Sequence, residues 1–170
     1  EGGVSFSRVA KIIDVPIKVI NNDKLPNLVI TKSEINFKDV SFKYLTSKDK
    51  AVNNINLSIA GGSMAALVGH SGAGKSTILN LLPRFYDPQQ GSIKIDNQEI
   101  SEANLNSLRK NISLVSQDII LFDDTIKKNI AYAKTNATDD EILKACKFAA
   151  ADEFIHKLPL KFDTLIGENG

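Results

Sequence analysis

The sequence predicts an α/β fold, and three observations support this assignment. Residues 69–77 fill the phosphate-loop pattern G-x-x-x-x-G-K-[ST] without a mismatch. An apolar run over residues 64–68 precedes the loop and predicts a strand buried on both faces. A helical run over residues 78–82 follows the loop and ends at Pro83. Strand, glycine loop and helix in this order form the context that a phosphate-binding loop requires.

The residues of this loop are suited to hold a polyphosphate. Gly72 and Gly74 let the backbone approach it closely, so that successive N–H groups point at negative charge. Lys75 would reach the β- and γ-phosphates, and the Ser76 hydroxyl would hold Mg²⁺. The predicted nucleotide-binding residues of the loop are Gly69, Ser71, Gly72, Ala73, Gly74, Lys75, Ser76 and Thr77. The alternative interpretation is a glycine-rich surface turn before a helix.

Alternating apolar and polar residues predict a small antiparallel β region on the N-terminal side of the loop. A strand begins near Ile35, and its alternation slips at residues 38–39, which predicts a bulge. Residues 55–59 form the next predicted strand. After the loop helix, residues 92–97 predict a strand that ends in a turn where Asn97 takes a positive φ. A further short strand is predicted over residues 112–115.

From residue 125 onward the pattern is helical. Thr138 and Glu141 are spaced as a capping box, which predicts a helix that begins there. The apolar stripe expected on this helix consists of Ile142, Ala145, Cys146 and Ala149. A last helical segment extends to Pro159.

Composition excludes several function classes. The net charge is +1, with 21 basic and 20 acidic residues and no basic stripe, which argues against a nucleic-acid partner. No stretch approaches the roughly 18 apolar residues that span a bilayer, so we expect these residues to be soluble and any membrane part to lie elsewhere. One cysteine and two histidines provide no disulfide or metal framework. His70 and His156 are interpreted as structural residues.

The order of these pieces resembles the nucleotide-binding domain of ATP-binding-cassette transporters of the exporter type. Residues 42–44 resemble the aromatic segment that stacks on adenine in this family, which assigns base stacking to Tyr44. Residues 113–118 and their continuation over residues 121–130 resemble the glutamine loop of exporters. The resemblance gives Gln117 contact with Mg²⁺ or the attacking water and a role in sensing the membrane domain. The alternatives are that Tyr44 is an ordinary tyrosine at the end of a strand and that Gln117 is a polar residue of a turn.

The resemblance also implies a domain organisation. Residues 1–33 would form a connector from a membrane domain, and the segment from Phe6 to Pro16 resembles the connector of fused exporters. Residues 34–170 would form part of a nucleotide-binding domain, with a helical subdomain from about residue 125. The expected fold is a P-loop core of the ATP-binding-cassette type, in which a mixed sheet surrounds the loop helix beside an antiparallel β subdomain. Residues 163–170 resemble the exporter loop that precedes the family's signature motif. Within this loop, Leu165 and Asn169 depart from the residues common in the family.

The implied function is that of the ATPase of an exporter. Its cofactors would be ATP and Mg²⁺, with Lys75 and Gln117 as catalytic residues. Its partners would be a transmembrane domain and a second nucleotide-binding domain, as a homodimer or pseudo-dimer, at the cytoplasmic face of a membrane. Because the sequence ends at Gly170, before the family's signature motif and catalytic glutamate, we expect the isolated chain to hydrolyse ATP no faster than background.

Two alternatives to this function remain open at the level of the sequence. One is a stand-alone P-loop kinase or ATPase in which Asp123, after the apolar run 119–122, holds Mg²⁺. The other is a non-catalytic nucleotide-binding fragment.

Overall fold

The structure, a computed structural model, describes residues 19–116 and 120–167. The chain divides into two compact units, of which the first ends at Ser113 and the second begins at Leu114. The predicted connector segment from Phe6 to Pro16 lies outside the described residues. No described helix is long and apolar enough to cross a membrane, and the longest of them has ten residues.

A four-stranded antiparallel sheet with the strand order β2-β1-β3-β4 forms the framework of the first unit. It confirms the antiparallel β region that the alternating pattern predicts. The elements of this unit are β1 (Ile35–Phe42), β2 (Val52–Ile59), α1 (Lys75–Leu81), β3 (Gln90–Ile95), β4 (Gln98–Glu99), a 3₁₀ turn (Ile100–Glu102) and α2 (Leu105–Lys110). Asn104 caps α2 by accepting a hydrogen bond from the Ser107 N–H group. This helix was not predicted from the sequence.

The central strand β1 contains the predicted bulge. Its register with β2 shifts between Phe37 and Val40, and Asp39 within the shift has a φ of 52°. An extra residue reverses which side chains face the core, so Phe37 and Val40 are both buried although they are three positions apart. Around them the core of this unit combines residues of the sheet, α1 and α2, including the fully buried Leu81, Ile93 and Leu108.

A single carboxylate fastens residues 31–34 to the sheet. Asp96, in the turn after β3, accepts hydrogen bonds from the four backbone N–H groups of residues 31–34 at 2.6 to 3.1 Å. These bonds, foremost the one from Thr31, hold the pKa of Asp96 far below its ordinary value. Asn97 has a φ of 63°, which confirms the positive φ predicted for this turn.

Two predicted strands are wrong. Residues 64–68 form no strand, and Met64 and Val68 are 100% and 93% exposed. Residues 112–115 are likewise outside any strand, and Val115 is 91% exposed. A buried strand needs neighbours that bond its N–H and C=O groups, and no described strand pairs with either segment. Both sheets among the described residues are antiparallel, because neither of these two segments adds a strand to them. The mixed sheet expected around α1 is therefore not present among the described residues.

The described residues of the second unit, 114–116 and 120–167, form three short helices and a two-stranded antiparallel sheet. Its elements are β5 (Asp124–Thr125), α3 (Ile126–Ala131), α4 (Asp139–Phe148), α5 (Asp152–Lys157), a 3₁₀ turn (Lys161–Asp163) and β6 (Leu165–Ile166). The helical pattern predicted from residue 125 is therefore present as three separate helices. Their shared core includes Ile126, Ile142 and Ile155.

The predicted capping box begins α4. The Thr138 hydroxyl accepts the Glu141 N–H group at 3.3 Å, and the Glu141 carboxylate accepts the Thr138 N–H group at 2.9 Å. The helix then buries Ile142 and Cys146. The other two members of the predicted stripe, both alanines, are exposed, so only half of that stripe faces the core.

Candidate phosphate-binding site

The loop that leads into α1 is shaped by two glycines with positive φ. Gly72 has a φ of 81°, and Gly74, which caps α1, has a φ of 84°. A Cβ atom on Gly74 would lie 2.4 Å from the carbonyl oxygen of Ala51 and 2.9 Å from Cγ1 of Val52. A Cβ atom on Gly72 would meet nothing within 4 Å. Glycine at position 74 therefore allows the loop to pack against the start of β2, whereas Gly72 is needed only for its backbone conformation.

Lys75 places its ammonium group against the loop. Its Nζ atom donates hydrogen bonds to the carbonyl oxygens of Gly69 and His70, each at 2.8 Å. Within the parts of the chain that the structure describes, no carboxylate forms an ion pair with Lys75. The positive charge is thus held in place by neutral groups only, which leaves it available to an anion.

The first turn of α1 carries further hydrogen-bond donors. The Ile78 N–H group makes the first bond of the helical ladder, to the Gly74 carbonyl at 3.0 Å. The N–H groups of residues 75–77 precede that bond and have no partner inside the helix. Ser76 is exposed at the surface, whereas Thr77 is buried. An ammonium group, backbone N–H groups and hydroxyls form a set of hydrogen-bond donors that fits a phosphate chain and not an apolar ligand.

Tyr44 is joined directly to α1. It lies two residues beyond the end of β1, and its hydroxyl donates a hydrogen bond to Oγ1 of Thr77 at 3.2 Å. Its ring is half-buried and lines a cavity of about 430 Å³. The structure therefore brings the residue proposed for base stacking together with the phosphate loop.

Two further aromatic residues contact Tyr44: Phe42, which belongs to the aromatic segment identified from the sequence, and Tyr86, which was not predicted. The centre of the Tyr44 ring lies 4.8 Å from that of Phe42 and 5.2 Å from that of Tyr86, with the planes nearly perpendicular in both pairs. Phe42 and Tyr86 are themselves 5.3 Å apart. No role for Tyr86 was predicted from the sequence. An aromatic pair at positions 85 and 86, inside an otherwise polar turn, was the signal that pointed to it.

Two further sequence predictions concern Gln117 and Asp123. Gln117 lies outside the described residues, so its metal-binding and catalytic roles stay predictions. Asp123 belongs to the second unit and is exposed. The described residues before it form no strand, and Ile120 is 81% exposed. A carboxylate at the end of a buried strand, as a stand-alone P-loop enzyme requires, is therefore absent at this position.

Comparison with known proteins identifies relatives of this chain. An ABC transporter family model matches residues 52–170. The ATP-dependent lipid A-core flippase of Desulfotalea psychrophila is 45% identical over 170 residues, which cover 100% of this chain and 29% of the flippase. The flippase of the same name from Haemophilus influenzae is 52% identical over 140 residues, which cover 82% of this chain and 24% of the flippase.

A solved structure gives the same result for the fold. The structure of a bacterial Atm1-family ABC exporter with ATP bound matches this chain with a TM-score of 0.89 and 40% sequence identity, over 99% of this chain and 29% of the exporter chain. The chain thus spans less than a third of the length of each of these relatives. The loop geometry, the fold and the family match agree with the resemblance that the sequence motifs show. The chain belongs to the ABC transporter family, and its fold is that of an exporter-type nucleotide-binding domain.

Proposed function

We propose that this chain is the ATP-binding part of an ABC exporter, which couples ATP binding and hydrolysis to transport across a membrane. The observation that carries the proposal is the position of Lys75. Its ammonium group is held against the loop by two neutral carbonyl oxygens at 2.8 Å, beside N–H groups that have no helical partner. This arrangement favours a polyphosphate, and the match to an exporter described with ATP bound supports ATP as that ligand.

Each residue of the site has a defined task in this proposal. Lys75 and the backbone of the loop bind the phosphates, and the Tyr44 ring stacks on the adenine. Ser76 and Gln117 would hold Mg²⁺, which neutralises phosphate charge when bound. Because Nζ of Lys75 already bonds two carbonyl oxygens, it is kept near the phosphates before they arrive, and less side-chain entropy is lost on binding.

We infer the partners of this chain from the names and lengths of its relatives. They are named as flippases and as an exporter, and each is more than three times the length of this chain. We propose that a transmembrane domain and a second nucleotide-binding domain act with this chain at the cytoplasmic face of a membrane. The flippase is named for lipid A-core and the exporter is named without a cargo, so the relatives assign no cargo to this chain.

Titration of the 170-residue chain with a fluorescent ATP analogue in the presence of Mg²⁺ tests the proposal. Lys75→Ala removes a charge-assisted contact worth about 1.5–3 kcal/mol, so the affinity should fall about ten- to a hundredfold. Lys48→Ala is the matched control, because Lys48 is an exposed lysine of the same unit and lies outside the loop. Equal affinities of the Lys75→Ala and Lys48→Ala variants would show that the loop does not bind the nucleotide.

A further inference from the structure

We infer that Tyr86 is a positioning residue, which holds the Tyr44 ring in the orientation that a nucleobase requires. This inference rests on the proposed function and adds to it a residue that recognises the base indirectly. Both rings line the cavity of about 430 Å³ beside the end of β1. The inference follows from three sets of contacts, which fix the Tyr44 ring, the backbone before it, and the turn that carries Tyr86.

The first set of contacts joins the rings themselves. Tyr86 meets Tyr44 at a centroid distance of 5.2 Å and an interplanar angle of 88°. Phe42 contacts both rings, so that three aromatic side chains support one another. Perpendicular aromatic pairs at this distance are stabilising beyond the area that they bury. The ring of Tyr44 is thereby restrained on one side, while its hydroxyl is bonded to Thr77 of α1.

The second set fastens the backbone beside Tyr44 to the same turn. Gln89 follows Tyr86 by three positions, and its side-chain amide bonds both backbone groups of Lys43. The Lys43 N–H group donates to Oε1 of Gln89 at 2.7 Å, and Nε2 of Gln89 donates to the Lys43 carbonyl at 3.0 Å. The Gln89 N–H group also donates to the Ser41 carbonyl at 3.0 Å. The chain just before Tyr44 is therefore paired with the turn almost as a strand would be.

The third set makes the turn rigid. Arg84, with a φ of 53°, forms a bidentate ion pair with Asp87 at 2.8 and 2.9 Å. Its side chain is only 6% exposed and also donates to the carbonyl oxygens of Ile100 and Ser101, each at 3.3 Å. The Arg84 N–H group bonds the carbonyl of Leu81 at 3.1 Å, directly at the end of α1.

These contacts give Tyr86 a defined place between the two halves of the site. The turn starts at the C-terminal end of the helix whose N-terminal end carries the phosphate loop. Tyr86 therefore helps to hold the Tyr44 ring at a fixed position relative to the loop. A ring that is ordered before the base arrives loses less entropy on stacking, so loss of Tyr86 should weaken the binding of the base and leave the binding of phosphate unchanged.

Affinities for ATP and for inorganic tripolyphosphate, measured on the full chain, separate these two contributions. Tyr86→Ala should weaken ATP binding about two- to tenfold and change tripolyphosphate binding by less than about twofold. Tyr86→Phe should retain the affinity of the original chain for both ligands, because the ring and not the hydroxyl makes the contact. Tyr132→Ala is the control, since Tyr132 is an exposed tyrosine of the second unit.

The outcomes distinguish this inference from the proposed function. If Lys75→Ala binds ATP as well as the unchanged chain, the proposed function fails. If Lys75→Ala weakens binding but Tyr86→Ala leaves the ratio of the two affinities unchanged, the inference about Tyr86 is overturned. Equal losses for ATP and tripolyphosphate would also overturn it, because they indicate a general structural role.

A second variant keeps the test decisive if Tyr86→Ala fails to fold. Gln89→Ala removes the backbone clamp and leaves all three rings in place. It should lower ATP affinity relative to tripolyphosphate in the same direction. An unchanged ratio in a folded Gln89→Ala chain, as judged by circular dichroism, would overturn the inference.

Discussion

Replacement of each of two loop glycines by alanine separates backbone strain from steric conflict. Gly72 and Gly74 have nearly the same φ, 81° and 84°. They differ in their surroundings, because a Cβ atom would be free at Gly72 but would lie 2.4 Å from the Ala51 carbonyl oxygen at Gly74. Gly72→Ala therefore measures the cost of the left-handed conformation alone, and Gly74→Ala measures the same cost together with a clash against the backbone before β2.

The expected magnitudes follow from these two geometries. The left-handed conformation costs a residue with a Cβ atom about 1–2 kcal/mol, so Gly72→Ala should lower the free energy of unfolding by that amount. Relief of the clash at Gly74 requires a backbone shift, which costs about 1–3 kcal/mol more. We expect Gly74→Ala to destabilise the chain by about 2–5 kcal/mol in total. The contact at 2.4 Å involves a carbonyl oxygen and not the end of a flexible side chain, which places the cost in the upper part of this range.

Urea denaturation checks this prediction. The chain has no tryptophan and three tyrosines, two of which, Tyr44 and Tyr86, lie in the first unit, so tyrosine fluorescence reports mainly on that unit. Both variants and the unchanged chain should be compared at equal slope m, so that a shift of the midpoint is a change in stability. Free energies of unfolding that agree within about 0.5 kcal/mol for the two variants would refute the steric argument.

Two other predictions concern stability and association. Hydrogen bonds from residues 31–34 lower the pKa of Asp96 in the folded state below its ordinary value of 3.8. Their stabilising effect is therefore fully present above pH 3.8, and it is lost as the pH falls through the lowered pKa of the folded state. Asp96→Asn should lower the melting temperature at neutral pH and reduce its acid dependence below about pH 4, and an unchanged pH profile would contradict this. Because Met64, Val68 and Val115 are more than nine-tenths exposed, we expect the chain to self-associate. Val115→Lys should reduce the mass measured by light scattering after size exclusion. A monodisperse monomer of the unchanged chain would contradict the prediction.

Local sequence signals predicted those elements whose cause is local. The capping box at Thr138, the bulge near Asp39 and the positive φ of Asn97 depend on residues within a few positions of one another, and all three are confirmed. The conformation of the loop before α1 is local in the same sense, because its glycines and Lys75 lie in one short segment, whereas phosphate binding by that loop stays a prediction.

Predictions that depend on distant partners were less successful. The runs 64–68 and 112–115 are apolar enough for buried strands, but composition does not specify which strand pairs with them. Tyr86 was missed for a related reason. Its role arises from a contact with Tyr44, 42 positions earlier in the chain. The aromatic pair at positions 85 and 86 marks the segment as unusual, but it does not identify Tyr44 as the partner.

The hydrogen bonds of Asp96 also lead us to expect an order in which parts of the first unit form. It closes loops of 62 to 65 residues without a covalent bond, since its partners are the N–H groups of residues 31–34. Closure of so long a loop has an entropic cost that is recovered only after β3 has joined β1 and presents the turn. We therefore expect the segment 31–34 to dock late during folding. We also expect its four amides to open and exchange with solvent as one group whenever that turn leaves the sheet.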